Sequence, residues 1–140
     1  MATGARPALT LSPAVQRIAA LPVLIVIATK HVDGRVQLNP IWFELIDGYL
    51  WVNSNTRRSW PKNLQRDQDA ALLLIDPTEP DRYGQIRAHL AEVIPDPKHE
   101  FIDRLSRRYT GKQFRELEPG EERITFKLEP LQVNGQMIYR

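Results

Sequence analysis

The pattern of hydrophobic and polar positions predicts β-strands over much of this chain. Val23–Ala28 and Ala70–Ile75 are short, continuous apolar runs, which are typical of strands covered on both faces. Tyr83–Ile94 and Glu122–Leu128 instead alternate between apolar and polar positions. Further strands are predicted over Arg35–Ile46, Tyr49–Ser54 and Leu131–Met137. The pattern therefore predicts six or seven strands.

Turn signals and helix signals arrange these strands. Asp33-Gly34 and Asp47-Gly48 are hairpin turns that join the first three strands into an antiparallel meander. Pro40 cannot donate a ladder hydrogen bond, so a bulge or a sheet edge is expected there. Three short helices are predicted, from Ser12-Pro13 to about Leu21, over Ser59–Arg66, and from Pro97 to a C-cap at Gly111. The predicted fold is mostly β with short helices, a six- to seven-stranded antiparallel barrel without open edges.

Composition narrows the class of protein. A chain of 140 residues with 42% hydrophobic and 26% charged residues is long enough for one folded domain. We expect that domain over residues 12–140, after a flexible tail at 1–11. The absence of cysteine excludes disulfides and thiolate chemistry, and His31, His89 and His99 lack metal-ligand spacing. We therefore expect no metal site.

Charge and hydropathy indicate the surroundings. The net charge of +2 is too small to indicate nucleic acid binding, for which stacking aromatics beside the cations are also sparse. No apolar run reaches membrane-spanning length, and the N-terminus lacks a signal-peptide pattern, so a cytoplasmic location is expected. The acidic run Glu116–Glu122 is expected to be a solvated loop between a helix and a strand.

A basic loop after the third strand is the strongest candidate site. The strand ends in polar residues, Ser54 and Asn55, and a helix begins at Ser59 with Pro61 in its first turn. Free N–H groups and the helix dipole attract an anion at such a helix start. Three cations surround it: Arg57, Arg58 and Lys62. This arrangement predicts a phosphate pocket, and the alternative is a solvated face of a helix.

The strand around Pro40 is the second candidate site. A proline-interrupted strand frees backbone groups that a planar ring can use, and Trp42 can supply a wall. The candidate residues are Asn39, Pro40, Ile41 and Trp42. The alternative is that Trp42 and Phe43 are ordinary core or dimer-contact aromatics.

The order of these motifs resembles that of a known family. The motifs are Ala28-Thr29, Asp33-Gly34, Leu38–Phe43, Leu50–Asn53 and Lys62–Asp67. Together they resemble the pyridoxamine 5′-phosphate oxidase-like family of FMN-binding split β-barrels, and more closely its oxidoreductases that use the deazaflavin coenzyme F-420. The resemblance is clearest over residues 21–94.

The resemblance implies a homodimer with two cofactor sites at the subunit interface, each holding F-420 or, alternatively, FMN. Carried over, Arg58 and Lys62 hold the cofactor phosphate, with Arg57, Ser54, Asn55 and Asn63 nearby, and Asn39, Pro40, Ile41 and Trp42 lie along the ring. Trp60 stands where many relatives have a lysine, which removes one phosphate ligand. Either Arg57 compensates for it or Trp60 stacks on the ring system.

The implied activity is that of a reductase. Reduced F-420 would donate a hydride to a small unsaturated or electron-poor substrate, with no side chain acting as a nucleophile. Two alternatives remain open, an FMN-dependent oxidoreductase of the same fold and a non-catalytic protein that binds a flavin, a deazaflavin or haem.

Overall fold

The computed structural model describes residues 6–135. It contains three helices, α1 (Pro13–Ala19), α2 (Ser59–Asp67) and α3 (Glu100–Thr110). It contains seven strands, β1 (Ile25–Lys30), β2 (Val36–Ile41), β3 (Phe43–Ile46), β4 (Tyr49–Asn55), β5 (Asp69–Ile75), β6 (Tyr83–Pro95) and β7 (Arg123–Asn134). Within these residues, no helix is long and apolar enough to cross a membrane.

All seven strands belong to one antiparallel sheet in the order β2-β1-β5-β6-β7-β4-β3. The two outermost strands, β2 and β3, are neighbours in sequence and are separated only by Trp42. The sheet must therefore curl until its two edges approach each other at that residue. The prediction of a mostly β, antiparallel fold of the split-barrel type is confirmed.

The core lies inside the curled sheet. Ile25 and Ile27 of β1 are fully buried, while Val26 and Ala28 on the other face are half-buried. Helix α2 covers one end of the core and α1 packs against β3 and β5. The sequence predicted that both faces of β1 are covered. Within one chain, only the inner face of β1 is fully covered.

Two strands differ from their predicted bounds. The predicted strand over residues 35–46 divides into β2 and β3 at Trp42. Pro40 lies on the edge strand β2 opposite Val26, so the sheet edge expected at Pro40 is confirmed. The two predicted C-terminal strands form one continuous strand, β7. Its pairing with β6 shifts register at two points, between Arg87 and Ala88 and between Leu90 and Glu92. The last two residues of that prediction, 136 and 137, lie outside the described residues.

Helix α3 explains the break at Trp42. The Tyr109 hydroxyl donates to the Val23 carbonyl at 2.6 Å and accepts from the Phe43 N–H at 3.0 Å. The Arg108 Nε group donates to the Phe43 carbonyl at 3.1 Å. Phe43 therefore makes hydrogen bonds to α3 at the point where β2 passes into β3.

The same arginine also reaches the end of α1. Its guanidinium donates to the carbonyls of Ala19 at 2.9 Å, Leu21 at 2.8 Å and Ala20 at 3.4 Å. The last carbonyls of a helix have no partners within the helix and favour a positive charge. Arg108 therefore caps α1 from 88 residues away in the sequence.

The ends of two other segments also differ from expectation. Leu11 is buried and Leu9 packs against the core, so the part of the predicted tail within the described residues lies on the barrel. Residues 1–5 of that tail lie outside the described residues. Helix α3 begins at Glu100 and not at Pro97, because buried Asp96 accepts hydrogen bonds from the N–H groups of Phe101 and Ile102.

Candidate functional site

The basic loop is a tight turn between β4 and α2. The Asn55 side-chain oxygen accepts hydrogen bonds from the N–H groups of Arg57 at 3.0 Å and Arg58 at 3.1 Å, an Asx turn that fixes the loop backbone. Helix α2 begins at Ser59, as predicted, and Arg58 holds the N-cap position in an extended conformation. Within the described residues, the Arg58 side chain makes no capping hydrogen bond to this helix start. Its first N–H groups are therefore available to an anion.

The cations of this loop are exposed and are not neutralised by the protein. Among residues 6–135, no carboxylate lies within 4.0 Å of Arg57, Arg58 or Lys62. Arg57 donates instead to the Pro119 carbonyl at 2.9 Å, which restricts its position. Three positive charges that no described carboxylate neutralises, beside a helix start, form a binding surface for a phosphate.

Three other predicted site residues are buried beneath this surface. Ser54 lies in β4 opposite Ile124 and is 3% exposed. Asn63 donates to the Thr29 hydroxyl at 3.2 Å and so ties α2 to β1. These two side chains support the loop from inside the barrel.

Trp60, the third, does not have the exposed position that stacking on a cofactor would require. Its side chain is 1% exposed, and its ring lies 5.8 Å from that of Phe126 in the core. Its spacing of four from buried Leu64 places both residues on the inner face of α2. That spacing is visible in the sequence and could have predicted the burial of Trp60. The structure leaves Trp60 no face for a cofactor ring.

The second predicted segment lies on β2 beside the same helix. Helix α2 packs against both β1 and β2, so the basic loop and the segment Asn39–Ile41 flank one helix. The Asn39 side-chain oxygen accepts from the Gln37 amide at 3.1 Å, and the Gln37 oxygen lies 2.9 Å from Nε2 of His31. This row of polar groups fixes the orientation of the Asn39 side chain.

Trp42 belongs to an aromatic cluster with α3. Its ring is stacked on Tyr109, with centroids 5.3 Å apart and planes 12° apart, and meets Phe114 edge-on at 6.3 Å. Burial raises the pKa of the Tyr109 hydroxyl, which keeps it a neutral hydrogen-bonding group. One face of Trp42 is therefore already covered by the protein.

A buried charge network beneath the basic loop was not predicted. Glu121 was expected in a solvated loop, but its side chain is 2% exposed. It accepts from Arg115 at 2.9 Å and from Arg123 at 2.8 Å. Hydrogen bonds from Arg115, with further support from the Glu118 N–H and Arg123, lower the pKa of Glu121 to about 2. Glu121 and Arg123 are two residues apart at the start of β7, and this spacing was the sequence signal that could have predicted their ion pair.

This network holds the segment that contacts the basic loop. The Glu122 backbone carbonyl accepts a hydrogen bond from the Thr56 N–H at 3.1 Å, and the Pro119 carbonyl accepts one from Arg57. Arg123 donates from Nε to the Asn53 side chain at 3.0 Å, within β4. Residues 118–123 therefore support the basic loop from below.

A large cleft in the described part of the chain lies elsewhere. It has a volume of about 1010 Å³ and opens at the C-terminal end of α2, beside the β1–β2 hairpin. Lys30, Arg66 and Arg87 line it, and none of the predicted site residues does. The basic loop is thus a surface feature and the cleft is a separate one. Among the described residues there is no cluster of three histidines or carboxylates that could hold a metal.

Comparison with known proteins agrees with the curled antiparallel sheet. The sequence matches the family described as "Pyridoxamine 5′-phosphate oxidase" over residues 11–137, and the chain belongs to that family. No curated protein matches it significantly.

Solved structures of this split-barrel type include several with different described roles. An F-420 reductase is similar with a TM-score of 0.78 and 26% identity, over 85% of this chain and 94% of that one. HutZ, a haem storage protein from Vibrio cholerae, has a TM-score of 0.65 and 17% identity over 91% and 96%. An FMN-binding protein from Nostoc punctiforme has a TM-score of 0.59 and 18% identity over 89% and 83%. The last two show similarity of fold alone.

Proposed function

We propose that this protein is an oxidoreductase that transfers a hydride from reduced coenzyme F-420 to a small unsaturated or electron-poor organic molecule. The observation that carries the proposal is the group of three exposed cations at the start of α2, none of which forms an ion pair among residues 6–135. The 26% identity to an F-420 reductase over most of both chains favours F-420. FMN is the second candidate, and the FMN-binding protein of the same fold supports it.

The residues present fit a phosphorylated cofactor. Arg58, Lys62 and the first N–H groups of α2 would hold the phosphate, and Arg57 would add charge from its place on the Pro119 carbonyl. When bound, the reduced cofactor supplies the hydride. The segment Asn39–Ile41 would orient the ring, with buried Ile41 contributing its backbone and Asn39 its side chain.

We also propose that the protein acts as a homodimer with the cofactor at the interface. Exposed apolar residues lie on the outer face of β2 and just before β1, among them Leu38 at 63% and Leu24 at 55% exposure. A second copy would remove these side chains from water. Sedimentation equilibrium with cofactor is expected to give about twice the chain mass of 16.2 kDa, and a particle of single-chain mass would contradict the dimer.

Parallel titration of the purified protein with F-420 and with FMN tests the cofactor. We expect Arg58→Ala and Lys62→Ala each to weaken binding by about 1–3 kcal/mol, the range for losing a charged hydrogen bond. Arg107→Ala is a matched control, because Arg107 is an exposed arginine on α3, away from the loop. Unchanged affinity in both loop variants would reject the phosphate pocket.

Turnover separates an enzyme from a carrier of the cofactor. The protein loaded with reduced F-420 is expected to oxidise it when enones or quinones are supplied. Tight binding of F-420, FMN or haem without turnover of any acceptor would instead favour a binding protein, as the haem storage protein of the same fold illustrates.

A further inference from the structure

The large cleft beyond the C-terminal end of α2 has a floor of two small residues. Ala28 of β1 and Ala71 of β5 are direct partners in the sheet, and both line the cleft. Side chains alternate across a sheet, so these alanines lie on the face opposite buried Ile27 and Leu72. Short side chains side by side on adjacent strands leave a depression. Its volume of about 1010 Å³ is at the upper end of the range for small-molecule sites.

Two cations line the cleft beside this floor. Arg87 of β6 is the direct partner of Ala71, and Lys30 lies two residues beyond Ala28 on the same face of β1. Neither side chain has a carboxylate within 4.0 Å in the described part of the chain. The apolar side chain of Leu131 also lines the cleft. An apolar floor between unpaired cations favours a ligand with an apolar body and a negative charge.

The remaining charges restrict that ligand further. Arg66 is held by its own neighbour, since its Nε donates to Asp67 at 2.9 Å. The Asp69 carboxylate lies 3.5 Å from Nδ1 of His89 and also lines the cleft. A carboxylate at this position opposes a second negative charge on the ligand. The cleft therefore suits a molecule with one carboxylate better than one with several.

We propose that this cleft is the substrate site and that it selects small, flat organic monoanions through Lys30 and Arg87. The assignment of this anion as the substrate rests on the proposed function. The prediction that the cleft binds such an anion is independent of that function. The cleft lies at the opposite end of α2 from the basic loop. A nine-residue helix is about 13 Å long at the usual rise per residue, so the two sites are distinct.

Isothermal titration of the cofactor-free chain with trans-cinnamate and with the uncharged cinnamamide tests the site. We expect cinnamate to bind about tenfold more tightly than cinnamamide, the lower end of the range for a charged hydrogen bond. Lys30→Gln and Arg87→Gln should each remove most of that preference and leave cinnamamide binding unchanged. Equal affinity for the two compounds in the native chain would overturn the proposal.

Arg35→Gln is the matched control. Arg35 lies on the same hairpin as Lys30, but it is exposed, pairs with Asp33 at 2.8 Å and does not line the cleft. We expect it to leave the preference for cinnamate intact. A loss as large as that in Arg87→Gln would mean that net charge alone attracts the anion, and the specific site would be rejected.

Two further measurements exclude other occupants of the cleft. If Lys30→Gln and Arg87→Gln weaken F-420 and not FMN, the cations serve the carboxylate tail of F-420, and the substrate assignment is wrong. Ala71→Trp should fill the floor and abolish cinnamate binding without changing the mass found by sedimentation equilibrium. A change from dimer to monomer in that variant would make this face an interface between copies and overturn the proposal.

The outcomes also separate this inference from the proposed function. Arg58→Ala is expected to weaken F-420 and FMN and to leave cinnamate binding unchanged. If neither cofactor binds the native chain while cinnamate binds as expected, the anion site stands and the redox function fails. If the cofactors bind as expected and cinnamate does not, only the cleft assignment fails.

Discussion

Replacing Glu121 by glutamine removes one negative charge from between two arginines while keeping the shape of the side chain. In the native chain the Glu121 carboxylate accepts hydrogen bonds from both Arg115 and Arg123, and it is almost fully buried. Arg123 is itself 7% exposed, so the variant leaves a buried guanidinium without its counter-charge. We expect Glu121→Gln to destabilise the fold at neutral pH.

The pKa of Glu121 sets the size of this effect. A fall of the pKa from 4.5 to about 2 corresponds to an upper limit of about 3 kcal/mol, at 1.36 kcal/mol per unit. Arg115, the partner with the largest influence, is 49% exposed, so solvent screens part of the attraction. We therefore expect a loss of about 1–2 kcal/mol in the free energy of unfolding at pH 7.

The sign of the pH dependence follows from the lowered pKa. The contribution of ionised Glu121 is fully present above pH 4.5, the pKa in the unfolded chain, and declines as the pH falls towards about 2. The difference in stability between the native chain and Glu121→Gln should therefore shrink between pH 5 and pH 3. Urea denaturation followed by tryptophan fluorescence at several pH values measures it.

Glu122→Gln provides the matched control. Glu122 is the next residue, but its side chain is exposed and, within the described residues, makes no ion pair. We expect this variant to change stability by less than about 0.5 kcal/mol at any pH in the range, as for most surface substitutions. Equal losses in the two variants, or a Glu121→Gln deficit that stays constant from pH 7 to pH 3, would refute the charge network as a source of stability.

Two further substitutions test the packing of the barrel by urea denaturation. Tyr109→Phe should cost about 1–3 kcal/mol, because the Phe43 N–H and the Val23 carbonyl lose their shared partner, and an unchanged midpoint would contradict that role. Trp60→Ala should cost about 3–5 kcal/mol, as for a fully buried large side chain packed on Phe126. Trp60→Phe should cost much less, because the indole N–H has no acceptor within the described residues, and equal losses would show that this N–H contributes.

Local signals in the sequence were sufficient for most of the fold. The two Asp-Gly turns have positive φ at Gly34 and Gly48, which glycine adopts at little cost, and both fix hairpins as expected. The start of α2 at Ser59 also followed from local sequence. The break at Trp42 did not, because it depends on α3 residues 66 positions away that hydrogen-bond to Phe43.

The position of the basic loop also followed from local sequence. The exposed cations of the basic loop lie where the strand-to-helix junction indicated. The charges that support the loop from below, above all Glu121, were not predicted, because burial of a carboxylate depends on which arginines the fold brings to it. The alanine floor of the cleft likewise depends on the register of β1 against β5, which no single strand reveals.

Arg108 has a consequence for how the chain folds. Its guanidinium joins the end of α1 to α3, two helices that enter the structure from opposite ends of the polypeptide. The first helix has only seven residues and is too short to persist alone in water. Each time α3 detaches, α1 should lose its cap and its amide protons should exchange with solvent. The exchange rate of α1 therefore measures how firmly α3 is docked, although α3 lies almost ninety residues later in the sequence.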